Sequence, residues 1–178
     1  ALFFLFQSSK AVPGAMDDLT GIAIVDATGR CLREPQGGGF RPENTEVILL
    51  ATSSEEAGLR GAKRYVKRHA TELKKTPTYG IFLESTADER HLTVATGEVF
   101  TGAKHDLGLV EMACKVAAGH DWPIKSKPIP LGGTDAVAFS KKGIRATCLL
   151  SQDTTRLVPN YHTREDTPEH VRPEALSI

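Results

Sequence analysis

The chain has 178 residues, 40% of them hydrophobic and 25% charged, with 22 Lys and Arg balanced by 22 Asp and Glu. That length suits one domain of about 100–200 residues, so residues 1–178 are expected to form a single domain. Zero net charge removes the electrostatic case for a nucleic-acid or membrane-surface partner, and no apolar run approaches the ~20 residues that span a bilayer.

In chain order, Ala1-Leu2-Phe3-Phe4-Leu5-Phe6 begins without Met or a preceding basic residue and reads as a buried strand, with the numbering starting inside a larger protein. Residues 8–15 read as a loop rich in Ser, Pro and Gly. Asp17 or Asp18 then caps a helix through Leu19, Ile22, Ala23 and Val25 to about Cys31. Residues 46–52, apolar on both parities, read as a central strand buried on both faces. A helix over 59–73 follows, with Leu59, Ala62, Tyr65 and Val66 inward and Lys63, Arg64, Lys67 and Arg68 outward. Residues 79–83 read as another buried strand and 92–96 as a further one. A helix over 107–118, an extended connection through Pro123, Pro128 and Pro130, a short helix over 134–142 and a strand over 145–150 complete the pass. Alternating strands and helices without internal repeats predict an α/β domain with a largely parallel sheet and its site at the carboxyl ends of strands. Cys31, Cys114 and Cys148 are odd in number and form no C-x-x-C pair, so they read as buried thiols. With no charged signal-peptide segment, they favour the cytoplasm. A homo-oligomer is compatible with this sequence.

Three polar clusters sit where a predicted strand or loop meets the next element: Pro13-Gly14-Ala15-Met16-Asp17-Asp18, Ser53-Ser54-Glu55-Glu56 and Tyr161-His162-Thr163-Arg164-Glu165-Asp166-Thr167. Singly, each has an ordinary explanation as a helix cap, a solvated first turn or a surface His. Adjacent carboxylates raise each other's pKa unless a cation lies between them, and a metal is the simplest cation. Asp17, Glu56 and His162 offer the oxygen and nitrogen donors of a zinc site, leaving Glu55 beside it as a general base.

These segments resemble three signatures of metallopeptidase family 28, the co-catalytic zinc exopeptidases. The resemblance implies a three-layer α/β/α sandwich with a mixed, mostly parallel sheet, here lacking the N-terminal part of the fold. It also implies hydrolysis of terminal peptide bonds, aminopeptidase activity being the commoner one, with a peptide as substrate. Asp17 becomes the carboxylate bridging two zinc ions, joined to Asp18 by a bond that is cis in the family. Glu55 becomes the general acid/base, Glu56 and His162 ligands of one zinc, and Glu84 the counterpart of an Asp that binds the other. Tyr161 becomes an oxyanion donor, and Asp135, in a segment bordering the substrate pocket, a carboxylate supporting the site together with Asp18 and Asp166.

The family's remaining ligand is a His in a His-x-Asp motif shortly before the Pro-Gly-Ala segment. Here that stretch is Leu5-Phe6-Gln7-Ser8-Ser9-Lys10, without His. One zinc is therefore expected, or two if an upstream His is supplied. The alternatives are a catalytically impaired relative acting as a binding or structural module, and a related clan of cobalt or zinc aminopeptidases. The Tyr-His-Thr-x-x-Asp-Thr segment fits family 28 better.

Overall fold

The computed structural model describes residues 10–33, 42–153 and 160–176; the strand expected over 1–6 lies outside them. Helices α1 (Thr20–Arg33), α2 (Arg60–Leu73), α3 (Leu107–Gly119) and α4 (Ala136–Ser140) surround five strands: β1 (Tyr79–Glu84), β2 (Leu92–Glu98), β3 (Ala103–Lys104), β4 (Lys125–Ile129) and β5 (Arg145–Ser151). The sheet runs β1-β5-β2-β3, with β4 also pairing β2. It is mixed: β1 with β5 and β2 with β4 are parallel, while β2 is antiparallel to β5 and β3.

Helix α2 forms where the periodicity predicts. Ala62 and Val66, one turn apart, are buried at 0% and 1% exposure, while the basic residues face water. With Leu73 they join Phe139 of α4 and Ala146, Cys148 and Leu150 of β5 in the main core. Phe82 of β1 meets Phe139 at 4.8 Å between ring centroids, and Tyr65 meets it at 6.0 Å. This seam fixes α2, α4, β1 and β5 relative to one another behind the site.

Four expectations need correction. Residues 46–52 form no strand, and Val47, Ile48 and Leu49 are about half exposed. A β-prone run becomes a strand only beside a ladder partner, and none of the described strands pairs with it; Leu49 instead approaches α1 at Gly29. Strand β1 is an edge of the described sheet rather than a fully buried strand, leaving Tyr79 and Ile81 exposed. Residues 125–129, expected as a connection, are strand β4 despite Pro128. The β2–β4 register shifts between Ala95 and Glu98, and an irregular ladder tolerates a residue without an N–H. Of the three thiols, only Cys148 is buried; Cys31 is exposed on α1 and Cys114 is intermediate.

Candidate metal centre

Three separated segments carry the predicted site, and hydrogen bonds tie them together. Gly14 opens the first at φ +68°, and a Cβ there would lie 2.9 Å from the Asp17 carbonyl oxygen; a side chain would obstruct the turn. The Asp17–Asp18 peptide bond is cis. Asp166, 1% exposed, clamps this turn from the other end of the chain. Its Oδ1 accepts the Met16 N–H at 2.6 Å, its Oδ2 the Asp17 N–H at 3.2 Å and its carbonyl the Ala15 N–H at 3.2 Å. A buried carboxylate filled by backbone donors locks the Asp17 turn to the His162 loop.

Asp18 faces the helix. Its Oδ1 accepts from the Gly21 N–H and the Ser85 N–H, each at 3.1 Å, so it caps α1 and ties it to the end of β1. Burial, opposed by these bonds, pushes its pKa to about 7. Glu84 ends β1 and hydrogen-bonds to Asp17; burial, then Asp18 and Asp17, push it to about 10.

The second segment is a tight turn before α2. Glu55 carbonyl accepts the Leu59 N–H at 2.7 Å and Ser53 carbonyl the Gly61 N–H at 2.9 Å, with Ser54 and Leu59 at φ +58° and +59°. Burial first, then Glu56, Asp135 and Asp17, raise Glu55 to about 8. Asp135, just before α4, accepts a hydrogen bond from the Thr52 hydroxyl, and its own pKa is raised by burial.

The third segment presents His162 at φ +57°. Its Nε2 lies 2.8 Å from Glu56 Oε1 and 3.2 Å from Asp17 Oδ2. Tyr161 stacks on His162 at 3.8 Å between ring centroids. Burial and then the charges of Asp17, Glu56, Glu84 and Glu55 hold its hydroxyl neutral, well above the usual phenol range.

Asp17, Glu56 and His162 each offer a ligand atom within 4.8 Å of the others. Two carboxylates and an imidazole are a zinc donor set. The raised pKa of Glu56, due to burial and then Asp17, reflects negative charge that a cation would discharge. The residues therefore fit a zinc ion. Glu84 touches Asp17 but stands outside this three-residue cluster, and Glu55 adjoins it. Asp135, Asp18 and Asp166 support the surrounding turns. A cavity of about 410 Å³ between the end of α2 and the amino ends of β1 and β5, lined by Lys75, Tyr79 and Arg145, is at the other end of the sheet and does not belong to this site. Thr52, Thr134 and Glu98 escaped the sequence reading. The one available signal was a Glu ending the apolar run that forms β2.

An α/β sandwich whose acidic turns converge beyond the carboxyl end of β1 is the class that fold and geometry define. Residues 6–178 match the profile of Peptidase family M28, and the chain belongs to that family. Aminopeptidase YwaD of Bacillus subtilis is 26% identical over 176 residues, covering 96% of this chain and 36% of that protein. The structure of BSAP, a zinc aminopeptidase from Bacillus subtilis, matches with a TM-score of 0.76 at 25% identity, over 96% of this chain and 41% of that one. LapB from Legionella pneumophila matches with a TM-score of 0.78 at 20% identity, over 96% and 45%, a likeness of fold. The chain thus spans less than half the length of these relatives. No helix among the described residues is long and apolar enough to cross a membrane.

Proposed function

We propose that the chain carries the catalytic site of a zinc-dependent exopeptidase that releases residues from peptide N-termini. The observation supporting this most directly is the convergence of Asp17, Glu56 and His162 with Glu55 beside them; relatives described as aminopeptidases, one of them a zinc enzyme, agree with it. Zinc bound by these three side chains would polarise the scissile carbonyl and acidify water. Glu55 takes the proton of the attacking water and delivers it to the leaving amine. The Tyr161 hydroxyl, held protonated, donates to the carbonyl oxygen as it gains charge. Glu84 and Asp17 would contribute to a second ion if a further ligand joined them. Peptide is the substrate class, with assembly of copies compatible.

The test is Glu55→Gln against His162→Ala in the 178-residue chain. Glu55→Gln retains about one zinc per chain and loses about 10²–10⁴-fold in kcat on an aminoacyl chromogenic substrate, whereas His162→Ala loses zinc. Hydrolysis by Glu55→Gln at the wild-type rate would remove Glu55 from its role. A folded wild-type chain that takes up no zinc would point to a non-catalytic module.

A further inference from the structure

Behind the metal cluster lies a carboxylate that takes no part in it. Glu98, the last residue of β2, is 2% exposed, and its side chain and that of His105 are wholly shielded from water. Such a group is strongly destabilising unless its lone pairs are used. Here they are. The Thr134 N–H approaches Oε1 and Oε2 at 3.2 and 3.1 Å, and the Thr134 hydroxyl donates to Oε1 at 2.7 Å. The Thr101 hydroxyl lies 3.4 Å from Oε2. His105 Nε2 is 3.3 Å from Oε1, and its Nδ1 is 2.9 Å from the Ser140 hydroxyl of α4.

The Thr134 N–H and hydroxyl therefore seat the loop preceding α4 on one buried carboxyl group, which Thr101 and His105 hold from the other side. Gly133 permits the close approach, since a Cβ there would meet the Thr101 methyl at 2.8 Å and Glu98 Oε2 at 3.3 Å. The next residue after Thr134 is Asp135, which holds the Thr52 hydroxyl. Thr52 leads directly into Ser53, Ser54, Glu55 and Glu56. The connection is continuous: His105, Glu98, Thr134, Asp135, Thr52, then the turn that presents both glutamates.

We propose that Glu98, braced by His105, is a positioning residue that fixes the 133–135 loop and, through the bond between Asp135 and Thr52, sets the Glu55–Glu56 turn. The kinetic consequence rests on the exopeptidase reading; the structural consequence does not. Glu98→Gln keeps the shape but turns an amide N–H₂ toward a cage of donors, so the loop must shift.

The experiment compares Glu98→Gln in the wild-type chain and in a Thr52→Val background, where the link to the turn is already cut. Expected, at saturating zinc, are a fall in kcat of about 10-fold or more with KM within about 3-fold, a weaker zinc affinity as the Glu56 turn shifts, and less than about 2-fold further loss of kcat in the Thr52→Val background. An equal fold-loss in both backgrounds, or an unchanged kcat with a lowered melting temperature, overturns the proposal and leaves Glu98 a staple of the core. If the wild-type chain hydrolyses no peptide, the exopeptidase reading fails separately and amide exchange decides. Faster exchange in Glu98→Gln at Leu59 and Gly61, whose N–H groups close the glutamate turn, supports positioning; acceleration confined to Thr134 overturns it. Glu98→Asp, which keeps the carboxyl group but retracts it by one methylene, takes the same measurements if the amide variant does not fold.

Discussion

Replacing Gly61 by Ala separates the demands of a helix from those of the site. Gly61 is the second residue of α2. In an ordinary helix interior the change stabilises by about 1 kcal/mol. Here a Cβ would lie 2.3 Å from the carbonyl oxygen and 2.7 Å from the nitrogen of Ser53, where ordinary contact starts at 3.4 Å. The obstacle is backbone, so the 52–56 turn must retreat by about 1 Å, straining the Gly61 N–H bond to Ser53 O at 2.9 Å. Overpacking of this kind is worth about 1–3 kcal/mol. Set against the gain in helix propensity, a net destabilisation of up to about 2 kcal/mol remains, a fall in Tm of up to about 8 °C for a chain of this size. Metal sites hold their ligand distances to about 0.2 Å, so a 1 Å retreat of Glu56 weakens zinc binding by about 10–100-fold. Thermal unfolding and a competitive zinc titration measure the two effects. A Gly61→Ala chain that melts higher than wild type and binds zinc equally well would show that the turn is not pinned against α2.

Asp166→Asn replaces an acceptor of the Met16 and Asp17 N–H groups by an amide with only one accepting oxygen. It should destabilise the chain by about 1–3 kcal/mol in denaturant unfolding and weaken zinc binding, though Asp166 is not itself a ligand. Phe139→Ala opens the seam between Phe82 and Tyr65 and should destabilise by about 3–5 kcal/mol in the same assay. The exposed Glu111–Lys115 pair at 2.8 Å serves as the contrast, and truncating it should leave Tm within about 1 °C. Glu55, Asp18 and Glu84 are raised to about 8, 7 and 10, so each binds its proton more tightly folded than unfolded. Their contribution is complete below the unfolded carboxyl pKa of about 4 and is lost as pH rises through about 7–10. The Tm of the chain in chelator should therefore fall from about pH 5 to about pH 9, while zinc affinity rises over the same range because binding displaces protons. A Tm in chelator that climbs through that window would contradict the raised values.

The sequence displays the site better than the sheet because the site is written in short contiguous motifs. Gly14, Asp17 and Asp18 lie within one turn, as do Glu55 and Glu56, and Tyr161 and His162 are adjacent; local spacing alone marks these groups. Helix α2 is equally visible, since its buried Ala62 and Val66 and its outward Lys63, Arg64, Lys67 and Arg68 repeat at the helical period. Strand membership is less local. The run Glu46-Val47-Ile48-Leu49-Leu50 has the composition of a central strand but no partner among the described strands, and β4 carries a proline in a pairing that propensity alone would reject. Contacts between distant segments were beyond reach for the same reason: Thr52 to Asp135 spans 83 positions and Thr134 to Glu98 spans 36. Nothing in the intervening residues announces either.

The zero net charge of the chain conceals its main physical feature. Basic residues lie exposed along the outer face of α2. Five carboxylates, Asp17, Asp18, Glu55, Glu56 and Glu84, are instead drawn to one end of the sheet and partly removed from water, so that burial and mutual repulsion push Asp18, Glu55, Glu56 and Glu84 upward together. Folding for stability alone would not gather these groups, since dispersing them would relieve both terms. The turns holding them are nevertheless heavily specified, with Asp166 spent on two backbone donors, Gly14 and Gly61 on close approach, and His162 held at positive φ. A repulsive cluster specified this closely suits a ligand of opposite charge, and the nitrogen of His162 among its carboxylates favours a transition metal over an alkali ion.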